Sequence, residues 1–496
     1  MQERDLDFIV ESPISLREER PFHSFAELIF GHQGEASDEA VVLQGATESG
    51  PLSISLRQLR RGVLLLSQKW RQYGLNRGDT VCLLRLPHTN EILVAFVYAA
   101  LSAYGIRVFF PMYLEFDEFE TWLEATKSRA VIWDAREFRT QVKSEVARQQ
   151  IERLNRSAIR CDIQTFCLSE DLEVPSFLEG ECLTSPSLDD AEVQVLCRAT
   201  SPTTECLILT TSGTSGRSKL VRYNQDAFLR SCQSWQEAGL FAPDLLGGRA
   251  LCLLLAHSMG IRGFWNAVWT RQAYCMIPPE WFSARPERTC GLLLEMQPEH
   301  ITGGPAAFQS LRELARIFPQ LKEKSFYQPL RTAVSSGAPF DIALARQLRE
   351  SLGIRLANAF GTTETMQIAS TLLSPQETPE GLLGEPLPGI RIGLKHLPGL
   401  PPDTFQMYVR SPFASKGYLP IGPEKGEREA TPAVLPKWFT TGDIVQRLPE
   451  GLRYIGRESL DFVKDGFGLK VPRQLLLDRY ADLSPMLQWI ECFPLR

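Results

Sequence analysis

Residues 205–221 read Glu-Cys-Leu-Ile-Leu-Thr-Thr-Ser-Gly-Thr-Ser-Gly-Arg-Ser-Lys-Leu-Val. The apolar run predicts a buried strand, and it opens directly into a loop of hydroxyls and glycines that ends on a basic residue. A flexible linker has no need of that strand, whereas a loop that wraps a polyphosphate uses every part. Gly213 and Gly216 let backbone N–H groups turn inward, Thr211, Ser212, Thr214 and Ser215 add hydroxyl donors, and Lys219 adds a point charge. A Walker A loop is excluded by spacing: it sets its glycines further apart and places Lys directly after the second. Here Arg217 and Ser218 intervene before the lysine.

The flanking sequence supplies an α/β sheet for such a strand. Residues 55–73 carry apolar side chains at Leu56, Leu59, Val63, Leu66 and Trp70, a helical spacing, and a strand over 80–86 follows an Asn-Arg-Gly-Asp turn. Residues 92–110 divide into a buried helix and a short strand at a turn over 103–105. The rhythm continues with a strand at 130–133, a polar helix at 137–155 and a strand at 162–168. Residues 169–204, rich in Pro, Ser and acidic side chains, read as a long surface connection. A second α/β run occupies 249–360, with strands at 250–255, 273–277, 300–302 and 331–335. Turns become denser from Leu383, and 404–409 and 452–455 read as strands of a smaller β-rich subdomain. The expected fold class is α/β: a large N-terminal domain of two α/β subdomains with mostly parallel sheets plus the β-rich subdomain.

Composition narrows the function. The 496 residues carry 59 acidic and 53 basic side chains, a net charge of −6, and no strongly basic stretch, which argues against a nucleic-acid partner. Eleven cysteines without a Cys-x-x-Cys, and six histidines far apart, give reduced, cytoplasmic usage and no structural transition-metal site. The first 20 residues mix acids and bases without an apolar run, so neither a secretory signal nor a transit peptide is expected. The interruptions at Ser102, Tyr104, Gly105 and Arg107 argue against a membrane span.

Further segments extend the pattern set by the loop. They are Ser335-Ser336-Gly337-Ala338-Pro339, Asn358-Ala359-Phe360-Gly361-Thr362-Thr363-Glu364-Thr365, Gly384-Glu385-Pro386-Leu387-Pro388-Gly389, Thr440-Thr441-Gly442-Asp443 and Tyr454-Ile455-Gly456-Arg457. In this order, together with residues 211–219, they resemble the motifs of the adenylate-forming superfamily of acyl-CoA synthetases, luciferases and peptide-synthetase adenylation domains. The resemblance spans nearly the whole chain. It implies ATP- and Mg2+-dependent activation of a carboxylic acid as an acyl-adenylate, passed to CoA, a carrier-protein phosphopantetheine or another nucleophile.

The resemblance also implies roles. The loop from Thr211 to Gly216, with Lys219 and Thr363, would hold phosphates; Gly337, Ala338, Pro339, Asn358, Phe360 and Gly361 would form the adenine side. Asp443, an acceptor-only carboxylate, would take both ribose hydroxyls, and the planar fork of Arg457 would reach the ribose or the α-phosphate. Glu364 would be a Mg2+ ligand and, with Lys219 and Thr363, catalytic. The acid would lie against Ala256-His257-Ser258-Met259-Gly260, with Gly304, Ala306 and Phe308 as further lining. His257 suits either a pocket gate or a packed core position. Amino-acid-activating relatives place an Asp near this stretch; here there is none, so an acyl or aryl acid is expected over an α-amino acid.

One part departs from the family. Residues 1–456 correspond to the ATP- and acid-binding N-terminal domain, and 457–496 to a hinge and the remnant of a C-terminal lid. Residues 461–471 resemble the lid's first hairpin, but no lysine follows Lys470, where the family carries a late catalytic one. Three expectations fit: a fragment, a lid-supplying or acyl-carrier partner, or a nucleotide- and acid-binding protein with weakened or no turnover.

Overall fold

In the computed structural model, residues 1–31, 38–47, 50–86, 91–111, 116–133, 145–168, 171–172, 190–211, 218–241, 248–252, 255–323, 332–338, 340–374, 378–421, 434–457, 462–464 and 470–472 are described. The chain opens with strands β1 (Phe8–Glu11), β2 (Val41–Thr47) and β3 (Gly50–Ser55), which local pattern does not announce. Helix α1 (Leu56–Gln72) follows, as the apolar spacing predicts. A reciprocal cap starts it: Gln58 N donates to Ser55 Oγ at 3.2 Å and Ser55 N to Gln58 Oε1 at 2.7 Å.

Strand β4 (Thr80–Leu83), helix α2 (Glu91–Tyr104), and strands β5 (Arg107–Phe110), β6 (Ser128–Trp133) and β7 (Gln164–Cys167) continue the alternation. Every residue of α2 is buried, which explains its apolar run: it is a core helix. No described helix is long and apolar enough to cross a membrane. Residues 169–204 are not all connection. Helix α3 (Asp190–Ala199) forms there because Val193, Leu196 and Cys197 share one face, and that face packs on the core beside α2.

Strands β8 (Glu205–Thr211) and β9 (Lys219–Asn224) flank the glycine-rich loop as an antiparallel pair and lead into helix α4 (Gln225–Glu237). Then come β10 (Arg249–Cys252), α5 (Ser258–Thr270), β11 (Ala273–Met276), β12 (His300–Gly303), α6 (Pro305–Ile317), β13 (Thr332–Ser336) and β14 (Leu356–Thr362). The remaining main strands are β15 (Met366–Leu372), β16 (Leu382–Pro386), β17 (Arg391–Lys395), β18 (Thr404–Arg410), β19 (Gly417–Leu419), β20 (Phe439–Leu448) and β21 (Gly451–Arg457).

Two large sheets result. The seven-stranded sheet runs β19-β9-β8-β5-β4-β6-β7, parallel from β8 to β7. The fourteen-stranded sheet runs β1-β17-β18-β20-β21-β16-β15-β14-β13-β12-β10-β11-β2-β3. Its parallel centre spans β14 to β2, and β16, paired to both β15 and β21, carries it on into the antiparallel strands of the β-rich part. β19 crosses over: it lies between β18 and β20 in the chain, yet pairs with β9 in the other sheet. Past Arg457, β22 (Phe462–Lys464) and β23 (Lys470–Pro472) form the expected hairpin, with Val463 opposite Val471.

Candidate active site

Strands β10, β12, β13 and β14 run parallel, so their C-terminal ends share one edge, where open α/β sheets bind ligands. Each end carries one of the singled-out segments. Residues 256–260 lead from β10 into α5, and Gly304 and Ala306 lead from β12 into α6. Gly337 and Ala338 follow β13, Phe360 to Thr362 end β14, and Thr363 and Glu364 follow it. Register places Ser335 opposite Asn358 and Ser336 opposite Ala359, with Ser335 Oγ buried and without a partner. Ser212, Gly213, Thr214, Ser215, Gly216 and Pro339 lie outside the described residues. The stems of their loop are described: Thr211 and Lys219 face each other across the β8–β9 pair.

His257 caps α5. Its Nδ1 accepts from the Met259 N–H at 3.2 Å, and burial, with the nearby Arg262 charge, pushes the imidazole down to about 4, so it is neutral. Met259 is buried, and the Gly260 carbonyl accepts the Tyr274 hydroxyl at 3.0 Å. Gly304 caps α6 and Ala306 is exposed beside it. Phe308 is a core residue, edge-on to Phe340 with centroids 6.1 Å apart. It packs in an apolar cluster with Leu311, Leu314 and Phe340.

The turn between β14 and β15 presents Thr363 and Glu364. Thr362 Oγ1 pairs with Thr365 Oγ1 at 2.9 Å and accepts the Thr365 N–H, which holds the turn shut below them. At Gly361 a Cβ would lie 2.3 Å from the Met366 carbonyl oxygen and 2.7 Å from Gln367 Cα, so the hairpin itself requires glycine there. Phe360 stands with its ring centroid 6.2 Å from that of Tyr454, so two aromatic faces border this side.

Glu364 is tied to the other sheet through a residue that sequence reasoning does not reach. The Tyr418 hydroxyl, on β19, donates to Glu364 Oε1 at 2.7 Å, and Lys219 Nζ sits 5.3 Å from the centroid of the same ring. The Ser415 N–H donates to the Glu364 carbonyl at 2.7 Å, so the crossover strand straps this turn to β9. The only local signal is an aromatic after glycine in Lys416-Gly417-Tyr418-Leu419.

Asp443 and Arg457 are register partners on β20 and β21. Asp443 is 1% exposed; its Oδ1 accepts from Arg457 Nε at 2.9 Å, and its buried Oδ2 has no partner. Burial raises the Asp443 carboxyl above its usual range, with Arg457 working against it and Glu364 adding like-charge repulsion. Arg457 feels Glu364 as well, so Asp443, Arg457 and Glu364 share one electrostatic neighbourhood. The donor set suits a magnesium ion delivered with a nucleotide: one hard carboxylate at Glu364 with hydroxyls beside it, the rest left to phosphate and water. Among the described residues no three His, Cys, Asp or Glu gather to hold a metal by themselves.

Known proteins resemble this chain in sequence and fold. It is 28% identical over 291 residues to anthranilate--CoA ligase of Pseudomonas aeruginosa, covering 55% of this chain and 50% of that protein. It is 25% identical over 197 residues to the fatty acid--[acyl-carrier-protein] ligase MmaC of Mycobacterium marinum, 36% of each. The matches span about half or less of the length of these curated relatives. Among solved structures, McyG A-PCP complexed with phenylalanyl-adenylate superposes with a TM-score of 0.71 at 18% identity, covering 96% of this chain and 72% of that one. ATP-bound MatB from Rhodopseudomonas palustris gives 0.66 at 18%, covering 92% and 83%. At that identity the likeness is one of fold. The AMP-binding enzyme family matches residues 31–419, well over half of the sequence, and the chain belongs to that family.

Proposed function

We propose that this chain activates a carboxylic acid with ATP and Mg2+. A carboxylate oxygen attacks the α-phosphorus, the bond to the bridging oxygen breaks, and pyrophosphate leaves. The acyl group then passes to CoA, a carrier-protein phosphopantetheine thiol or another nucleophile, which loses its proton as the bond to the adenylate oxygen breaks and AMP leaves. One observation carries the reading most directly: Asp443 keeps a buried, unpartnered Oδ2 beside a half-buried Arg457, a costly arrangement that a ribose hydroxyl would complete.

The other residues take roles consistent with their places. Thr211, the loop over 212–216, Lys219 and Thr363 cradle phosphates. Gly337, Ala338, Pro339, Asn358, Phe360 and Gly361 border the adenine, and Arg457 reaches the ribose or the α-phosphate. Glu364 holds Mg2+, which supplies charge neutralisation on phosphate oxygens when bound. His257, Met259, Gly260, Gly304 and Ala306 border the acid. Named CoA and acyl-carrier-protein ligases among the relatives support an acyl or aryl acid, as does the lack of an Asp beside His257. Residues 1–456 carry both binding sites and 457–496 begin the lid. The free cysteines of the described chain suit a cytoplasmic setting.

Pyrophosphate exchange over a panel of acids, with and without Mg2+ and with an added carrier protein, tests the reading. Exchange that requires an acid and Mg2+ and falls on Lys219→Ala is expected. ATP binding without acid-dependent exchange, with or without the carrier protein, would favour a nucleotide- and acid-binding protein instead. No ATP binding by calorimetry would overturn both.

A further inference from the structure

The run Gly384 to Gly389 takes no part in the roles assigned above, yet two distant segments meet on it. Ser234 Oγ, on α4, donates to the Pro388 carbonyl at 2.8 Å in a buried contact. Leu16 packs onto Gly389: a Cβ there would lie 2.9 Å from Leu16 Cδ2 and 3.1 Å from Leu16 Cβ, and the backbone stands at φ +86. Close approach and backbone conformation both call for glycine. Leu6 makes a similar demand at Gly393, where a Cβ would lie 2.5 Å from Leu6 Cδ1.

Leu16 belongs to a stretch anchored at both ends. At one end β1 pairs antiparallel with β17, from Phe8 opposite Leu394 to Glu11 opposite Arg391. Asp7 extends the pairing: its N–H donates to the Leu394 carbonyl at 2.9 Å, and its Oδ2 accepts the His396 N–H at 2.6 Å. At the other end the chain lies on α4. Arg230 Nη1 donates to the Arg17 carbonyl at 2.7 Å and Nη2 to the Glu18 carbonyl at 2.8 Å, while Gln233 Nε2 donates to the Arg17 carbonyl at 3.1 Å. The Arg230 side chain is 11% exposed, so these charge-assisted bonds are shielded from water. The Glu3–Arg391 pair is open to solvent and adds little.

What the stretch connects gives it a function. β17 pairs with β18, and β18 with β20, the strand of Asp443. α4 continues directly from β9, the strand that opens with Lys219, and Asn224 at their junction caps α4 by accepting the Ala227 N–H at 3.0 Å. Residues 6–20 therefore run from the sheet of the proposed ribose side to the helix behind the proposed phosphate side. We propose that they form a strap that fixes the separation of these two halves of the nucleotide site, with Leu16 as its positioning residue at Gly389. The inference rests on the nucleotide-dependent function proposed above. ATP meets both halves at once and gains affinity from their fixed geometry, a gain that is lost when the halves shift. A ligand confined to one half gains nothing from the strap.

The test is calorimetry of the full chain with ATP and Mg2+, with adenosine and with inorganic pyrophosphate, on wild type, Leu16→Asp, Arg230→Met and the conservative Leu16→Met. Leu16→Asp and Arg230→Met should weaken ATP by about tenfold or more while adenosine and pyrophosphate bind as in wild type, and Leu16→Met should keep ATP affinity. Amide exchange over 391–395 and 404–410 should quicken in the two weakened variants. Arg230→Met leaves the contact at Gly389 in place and carries the test if Leu16→Asp does not fold. Unchanged ATP affinity in both variants would overturn the strap. So would equal losses for all three ligands, which a general loosening of the fold produces. A wild type that binds none of the three ligands would instead overturn the nucleotide-dependent function itself.

Discussion

The Tyr418 hydroxyl donates to Glu364 Oε1 at 2.7 Å, joining a strand of the seven-stranded sheet to a turn of the fourteen-stranded one. Burial and the Glu364 carboxylate both raise the phenol above its ordinary value, so it stays protonated and always donates. Lys219 rests over the same ring, so one aromatic side chain sets both the proposed phosphate cation and the proposed metal carboxylate. Tyr418 acts through Glu364, as a positioning residue.

Tyr418→Phe keeps the ring under Lys219 and removes only the hydroxyl. A hydrogen bond to a charged acceptor contributes ~1.5–3 kcal/mol, so Mg2+-dependent ATP affinity should fall by roughly one to two decades while metal-free binding holds. A magnesium titration of nucleotide affinity reads this. In a double-mutant cycle with Glu364→Gln the two losses should not add, because each removes the same interaction. Additive losses would place Tyr418 outside the metal site.

Asp443 couples stability to function with a definite sign. Its folded-state carboxyl is raised above the unfolded value, so ionisation costs stability; the cost is absent below the unfolded value and fully present above the folded one. Asp443→Asn carries no such cost. Its melting temperature relative to wild type should therefore climb as pH rises from the unfolded value and level off above the folded one. The same variant should weaken ATP by ~1–3 kcal/mol, because one ribose hydroxyl loses its acceptor. A parallel fall in both quantities would show that Asp443 is a structural ion pair.

How much of this was legible depends on the distance over which each feature is built. Gly361, Glu364 and Asp443 sit in short runs whose side-chain chemistry is local; the α/β rhythm accounts for β14, which leads to the first two, while Asp443 stands on β20 of the antiparallel part and meets them only through the electrostatics of Glu364. Tyr418 and Glu364 are 54 positions apart, and no periodicity reports that β19 leaves one sheet for the other. β1 is invisible for the same reason: it exists because Phe8 to Glu11 pair with residues near 391. α3 hides among polar residues because a one-sided apolar face of three residues is too short to stand out. Three dimensions also add a reason for Gly361 that the motif does not report, room for the backbone of residues 366 and 367.

That reason is testable against a second glycine of the same site. An alanine Cβ at 361 would collide with backbone of residues 366 and 367, which cannot move without opening the hairpin that carries Glu364. Gly337, at φ +92, has open space around it and resists substitution only through its backbone conformation. Gly361→Ala should cost ~1–3 kcal/mol or more by overpacking and lose Mg2+ dependence, whereas Gly337→Ala should cost roughly 1–2 kcal/mol and keep it. Chemical denaturation and a magnesium titration distinguish them, and equal costs with Mg2+ dependence retained in both would remove the backbone collision as the reason.

Two buried, neutral histidines should weaken the fold in acid. Burial and the Arg262 charge push His257 down to about 4 and His300 to about 3, while an unfolded histidine titrates near ~6.5. The unfolded chain therefore takes up protons that the folded one refuses, so stability should be constant above the unfolded value and fall as pH drops below it. Each site adds ~1.4 kcal/mol per pH unit until its folded value is reached, near 4 for one and 3 for the other. The cause is geometric at His257, whose Nδ1 must stay an acceptor to cap α5. His257→Asn keeps a capping acceptor but cannot titrate, so it should match wild type near neutral pH and lose the His257 share of the slope below it, ~1.4 kcal/mol per pH unit. Urea midpoints across this range measure it, and an unchanged slope would mean that the His257 ring is free to protonate in the folded chain.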